Sequence, residues 1–168
     1  MARSVDVFQA HLRETLKKAA AHKGSAFLEI LQNCNIFNDG AWDSLTEKEV
    51  RDDSIIQLQH GKPLVFGKNR DKGIRMNGLE LEVVRLGDGV TEKDLIVHDE
   101  RNPNPGYAFL LSRMDSTPGF PTPLGVLRAV DAPAYETAIH EQVAAVMAKK
   151  GKGDLAKLLR AGETWEVR

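Results

Sequence analysis

Apolar residues recur at three- and four-residue intervals along the first stretch of the chain, at Val5, Phe8, Leu12, Leu16 and Ala19. That spacing predicts a helix from Val5 to His22 with one face to lay on a sheet. Ser4 is its expected cap and Gly24 its expected stop. The pattern then changes, because Ala26, Phe27, Leu28, Ile30 and Leu31 make Ser25 to Leu31 a short apolar run, as expected of a strand covered on both faces. Helix followed by buried strand is an α/β pattern. The strand runs directly into QNCNIFNDG, Gln32 to Gly40, a polar loop rich in Asn and Asp, so Cys34 falls just past the strand's carboxyl end. In open parallel sheets that edge is where loops converge around ligands.

Beyond the loop the periods shorten. Ser44 and Glu47 stand at capping-box spacing and predict a short helix to Val50. Ser54 to Leu58, Pro63 to Phe66 and Leu79 to Leu86 read as short strands, separated by Gly61, Gly67, Gly73 and Gly78. Asn104 and Pro105 offer an N-cap and a first helical residue before Tyr107, Phe109, Leu110 and Leu111. Asp115 to Pro123 holds three prolines and a glycine and reads as a loop, with a strand from Leu124 to Ala129 after it. Tyr135, Ile139, Val143, Val146 and Met147 mark an amphipathic helix from Pro133 to Lys150, stopped by Gly151 and Gly153. A last short helix, Asp154 to Arg160, leads to Trp165, and no internal repeat is visible.

Composition narrows the class. With 168 residues, 42% hydrophobic and 28% charged, the chain is long enough to bury a core and has no low-complexity tract. Its 23 basic and 24 acidic residues leave a formal charge of -1, which gives no electrostatic reason to expect nucleic acid or an anionic membrane as partner. Lys17, Lys18 and Lys23 gather near a predicted helix end, where cations complement the dipole. No apolar run approaches membrane-spanning length, and the expected location is cytoplasmic. The one cysteine cannot make an internal disulfide, so Cys34 is a buried structural thiol, a reactive thiol or one ligand of a shared metal site.

Other chemical signals are weaker. Gly87, Asp88 and Gly89 imitate the opening of a thiamine diphosphate motif, in which the Asp holds magnesium and an Asn some way downstream supplies a second ligand. The window around Met114 that should hold that Asn has none, and no clear helix follows, so the segment reads as a turn. His98, Asp99 and Glu100 are adjacent in an extended segment and point to alternate faces, which disfavours one shared ion. They read as a charged strand end. His11, His22, His60 and His140 lack the paired spacing of a metal motif, and none stands out as a general base. Four ligands hold an iron-sulfur cluster, so a lone thiolate must find the remainder elsewhere.

The loop QNCNIFNDG is specific enough to carry a resemblance when read with ARSVD and AAAHKGSAFLEIL before it and HGKPLVFG after it. Together they resemble the β subunit of bacterial 2-oxoglutarate:ferredoxin oxidoreductases. KGIRMNGLELEVV, DLIVHDERNPNPGYAFLLSRM, FPTPLGVLRAV and GDLAKLLRAGETWEV extend the likeness over essentially the whole chain. The resemblance implies an enzyme that uses thiamine diphosphate with Mg2+ and a 4Fe-4S cluster. It decarboxylates a 2-oxoacid oxidatively, passes electrons to ferredoxin and forms an acyl-CoA from coenzyme A. The β subunit works with an α subunit. Cys34 is the position that matches the cluster's fourth cysteine ligand in such proteins.

The same resemblance implies a fold. Residues 1–40 are expected to be the C-terminal remnant of a thiamine diphosphate-binding, mainly parallel α/β sheet domain, and residues 41–168 an irregular α+β extension. The family's N-terminal half, with three further cysteines and the genuine diphosphate motif, has no counterpart in these 168 residues. Met1 stands where the family commonly has Val, which suggests an internal valine codon read as a start, or a deliberate truncation. The isolated chain is therefore expected neither to bind thiamine diphosphate tightly nor to turn over substrate. Its truncated sheet is expected to expose an edge and an apolar face normally covered by the missing half, so that the chain takes a partner or aggregates. The rival reading is a non-catalytic assembly module that contacts the α subunit and contributes no ligand.

Overall fold

A computed structural model describes residues 1–165 and Val167; Glu166, within the last stretch of the resemblance, lies outside the described residues. The chain divides into two compact units, Met1–His22 with Ala26–Asp131, and Lys23–Ser25 with Ala132–Arg168. Secondary structure is mixed α/β, and one sheet contains parallel pairs, in keeping with the expected class.

The first unit opens on a strand that the helical period concealed. Ala2–Val5 form β1, and all four residues are buried. Helix α1 therefore starts later than expected, at Gln9–Ala21. Ser4 does not cap it. The serine lies inside β1 with its hydroxyl 2.8 Å from His11 Nδ1 on α1, and the helix has Phe8 at its N-cap with no side-chain bond. Four residues are too few to display a period, which is why a buried strand there reads as the approach to a helix.

Strand β2, Leu28–Leu31, runs parallel to β1 in the register Arg3↔Glu29 and Val5↔Leu31. It is an edge strand, and only Leu31 is buried, so the expected cover on both faces is corrected to cover at its carboxyl end. Arg3, 5% exposed, crosses to Glu29 and also pairs with Asp115 at 3.1 Å. A buried guanidinium demands such partners, because an unpaired charge there would be costly.

Two further strands complete this sheet in the order β2-β1-β7-β3, with β3 at Ile55–Gln57 and β7 at Thr122–Val126. Strand β7 pairs antiparallel with β1 and parallel with β3. It overlaps the proline-rich stretch that reads as loop. Leu124 turns its carbonyl to the Leu58 amide at 2.8 Å, so Pro123 turns its nitrogen to the opposite side, beyond the Gly125 and Val126 that pair with β1. No ladder bond is lost there. Gly125 has φ of +119°, and a Cβ on it would stand 2.9 Å from the Leu58 carbonyl oxygen, so only glycine fits.

Adjacent residues of β3 face two cores. Ile55 joins Val5, Leu31, Leu45 and Leu124, while Ile56 joins Leu64, Ile74, Leu111, Met114 and Leu127. Each such buried aliphatic side chain contributes roughly 1.5–3 kcal/mol by leaving water. The second core also receives the antiparallel sheet of β4 (Val65–Phe66), β5 (Lys72–Asn77) and β6 (Glu80–Arg85). Of these, β5 was not evident from the sequence. Its partner β6 continues from it through the two-residue turn Gly78–Leu79.

The short helices α2 (Asp43–Thr46) and α3 (Arg51–Ser54) replace the single one expected from Ser44 to Val50. The Ser44 and Glu47 capping box is absent, with Trp42 at the N-cap of α2. Helix α4 (Pro105–Ser112) begins as expected, the Asn104 side chain accepting from the Gly106 amide at 2.9 Å. In the second unit, α5 spans Tyr135–Lys150 with Gly151 as its C-cap, and α6 spans Leu155–Leu159 with Asp154 as N-cap. Among the described residues no helix is long and apolar enough to cross a membrane.

His98, 1% exposed, joins three segments of the first unit. Its Nε2 lies 2.8 Å from the Val126 carbonyl and must carry the proton, so Nδ1, 2.9 Å from Tyr107 Oη, accepts from the phenol. Burial holds the imidazole below its ordinary pKa, against the Val126 carbonyl and Glu100, which pull it up. Burial likewise pushes the Tyr107 phenol up. A depressed histidine favours the neutral fold, so its contribution is complete above the unfolded value of about 6.5 and is lost as pH falls through the lower folded value. We expect the urea midpoint to fall between pH 7.5 and pH 5.5, with a flatter dependence in His98→Gln. Equal slopes in the two proteins would contradict this.

Candidate functional site

Placement of the cysteine loop follows from β2. Val5↔Leu31 is the last pair of the parallel ladder, and Leu31 is held in the core formed with Val5, Leu45, Ile55 and Leu124. The chain leaves that core at Gln32 and returns to it through Leu45 of α2. Between these anchors, the Trp42 indole donates to the Gln32 carbonyl at 3.1 Å. The loop is thus fixed at both ends just beyond the carboxyl edge of the parallel pair.

Within it, Cys34 is partly buried and unpaired. Its carbonyl accepts the Asn38 amide at 2.9 Å, which folds residues 34–38 into a tight turn. Amide N–H groups of Phe37 and Ile36 hold the thiol below its ordinary pKa, Asn38 adds to them, and partial burial works the other way. These are dipoles from the loop's own backbone, and they favour thiolate over thiol.

Asn33 laces the turn together. Its Nδ2 donates to Asn35 Oδ1 and to Asp39 Oδ1, each at 2.9 Å, and its Oδ1 accepts the Gly40 amide at 3.0 Å. Gly40, with φ of +75°, closes the loop in a left-handed conformation where a Cβ would stand 3.0 Å from the Asp43 carboxylate. Nothing in residue type alone singled out Asn33 among the polar residues of QNCNIFNDG. At the tip, Ile36 and Phe37 are 84% and 90% exposed.

The remaining candidates take other roles. Gly87, Asp88 and Gly89 all have positive φ, and Gly87 and Val90 exchange amide bonds at 3.0 and 2.9 Å, so the segment is a turn as read. His98 is not a charged strand end. It is a buried core histidine, while Asp99 lies 3.6 Å from His60 at the surface. The pairing of His98 with Tyr107 could not be read from a nine-residue separation with no motif in it. Among the described residues no group of three or more His, Cys, Asp and Glu side chains is placed to hold a metal ion. Two cavities, of about 540 and 690 Å³, are both lined without Cys34. The cysteine therefore stands on a surface loop, where one thiolate can be shared with ligands from another segment.

The amide donors predict an observable reactivity. Alkylation of Cys34 by iodoacetamide should reach half its maximal rate at a pH below the free-cysteine value of about 8.5. A half-maximum above that value would show that the donors do not reach the sulfur.

Comparison with known proteins bears on the resemblance read from the sequence. No family model matches the chain, and no solved structure matches it. It is 40% identical over 167 residues to the 2-oxoglutarate oxidoreductase subunit KorB of Mycobacterium tuberculosis. The match takes in 98% of this chain and 44% of that subunit, so the chain spans less than half of its relative's length. Over essentially all of its own residues, this chain is a relative of the C-terminal part of a 2-oxoglutarate oxidoreductase subunit.

Proposed function

We propose that the chain is part of the β subunit of a 2-oxoacid:ferredoxin oxidoreductase acting on 2-oxoglutarate or a related 2-oxoacid, and that Cys34 is one ligand of its 4Fe-4S cluster. The observation that carries the reading is the 40% identity to KorB across 98% of the chain. Cys34 suits the role on its own chemistry: a partly buried sulfur, biased toward thiolate by main-chain donors, at the carboxyl edge of a parallel strand pair. When bound, the cluster supplies one-electron transfer. This chain's part is to hold the thiolate and orient the loop around it.

The sequence has a single cysteine, whereas four ligands hold a cluster. The reading accordingly assigns the other three ligands, and the sites for thiamine diphosphate and Mg2+, to a segment outside these 168 residues. It also assigns residues 1–40 to the end of the thiamine diphosphate-binding domain and residues 41–168 to the subunit's C-terminal extension. An α subunit, ferredoxin and coenzyme A complete the proposed machinery, in the cytoplasm.

Iron and acid-labile sulfide in the complete enzyme test the ligand. In Cys34→Ser we expect loss of the cluster or a changed electron paramagnetic resonance spectrum, with CoA-dependent 2-oxoglutarate oxidation reduced by at least tenfold. An intact cluster of unchanged spectrum would instead support the non-catalytic assembly module. The 168-residue chain alone should show no CoA-dependent oxidation of 2-oxoglutarate, and turnover by it alone would overturn the incomplete-enzyme reading.

A further inference from the structure

We propose that helix α5 is a self-association surface, which pairs antiparallel with α5 of a second copy of this chain across a two-fold axis at Val143. None of its 16 residues, Tyr135–Lys150, is buried, although Ile139, Val143, Val146 and Met147 fall on one side of it and are all exposed. A helix this short draws most of its stability from packing an apolar face, so an apolar face left in water calls for a cover. The pairing is independent of the ligand role proposed for Cys34.

The order of residues along that face points to a second copy as the cover. At about 100° per residue, Glu136 and Lys150 stand within about 20° of Val143 around the helix, and Ile139 and Met147 within about 40°. These five residues form one seam. Glu136 lies seven residues before Val143 and Lys150 seven after it, Ile139 four before and Met147 four after, His140 three before and Val146 three after. When two copies pack antiparallel about Val143, residues equally far from it meet. Glu136 then faces Lys150 of the second copy, Ile139 faces Met147, and the same contacts repeat at the other end, as a two-fold interface requires. The two Val143 side chains meet at the centre.

Charge selects this orientation over the parallel one, which would set Glu136 beside Glu136 and Lys150 beside Lys150. Antiparallel packing also brings opposite ends of the helix dipoles together. Among the described residues neither Glu136 nor Lys150 has an ion-pair partner within the chain. Size sets the strength. The 16 residues of α5 make a rod about 24 Å long. One face of it covers less than the roughly 800 Å² per partner of a standard interface, so the expected dimer is weak, in the micromolar range.

Sedimentation equilibrium of the 168-residue chain tests the pairing, under reducing conditions that keep the free Cys34 from bridging copies. The expected result is a concentration-dependent dimer in wild type and a monomer in Val143→Asp, where two carboxylates would meet at the axis. Glu136→Lys and Lys150→Glu should each weaken the dimer by about fivefold, because each turns two exposed ion pairs into repulsive ones. The two exchanges combined should restore it. If Val143→Asp loses helix by circular dichroism, the exchanges decide. Glu136 and Lys150 are about 21 Å apart along one helix, so mutual rescue requires them to meet between copies. A wild-type chain that stays monomeric, or a dimer indifferent to Val143→Asp and to the exchanges, overturns the pairing. A monomer whose Val143→Asp variant fails to join the other subunit of the complete enzyme also overturns it, and assigns the face to that subunit.

Discussion

The parallel pairing of Ala2–Val5 with Leu28–Leu31 is the constraint on which the candidate site depends. It puts Leu31 beside Val5 at the mouth of a buried core, and every residue of the next loop is placed from that point. The core is shared: Ile55 and Leu124 enter it from β3 and β7, and Leu45 enters it from α2, where the loop ends. One hydrophobic cluster thus anchors both ends of the segment that carries Cys34. A weakened β1–β2 pair would release the loop even though no loop residue had changed.

Two buried polar groups tie the rest of the unit to that sheet. Arg3 joins β1 to Glu29 and to Asp115, and His98 joins Val126 of β7 to Tyr107 of α4. Both are expensive to bury and both are paired, so each specifies one arrangement of its neighbours. The loop itself follows a different logic. Its polar bonds are exposed and local, and its tip is apolar. Core packing positions the loop, and the Asn33 side chain cross-links it.

Long periods were legible in the sequence. Helices α1, α4 and α5 follow from apolar spacing and from the Asn104-Pro105 start, and the Gly87–Gly89 turn follows from residue type. Cys34 at a strand's carboxyl end was legible too, because an apolar run meets a polar loop there. Short elements were not. Ala2–Val5 is too brief to show alternation, β5 begins at Lys72 with a Lys-Gly pair that reads as a turn, and β7 holds a proline and a glycine that usually mark loops. Ser4, Ser44 and Glu47 have capping chemistry, but tertiary contacts set where those helices begin. Asn33 and the His98–Tyr107 pair depend on directions in space, which residue types do not encode.

Protection of the thiol tests the central claim most directly. In the complete enzyme with its cluster intact, Cys34 should resist alkylation, and it should become reactive once the iron is removed by oxidation and chelation, as read by mass spectrometry of the peptide bearing Ile36 and Phe37. Equal alkylation of Cys34 before and after removal of the iron would contradict the account.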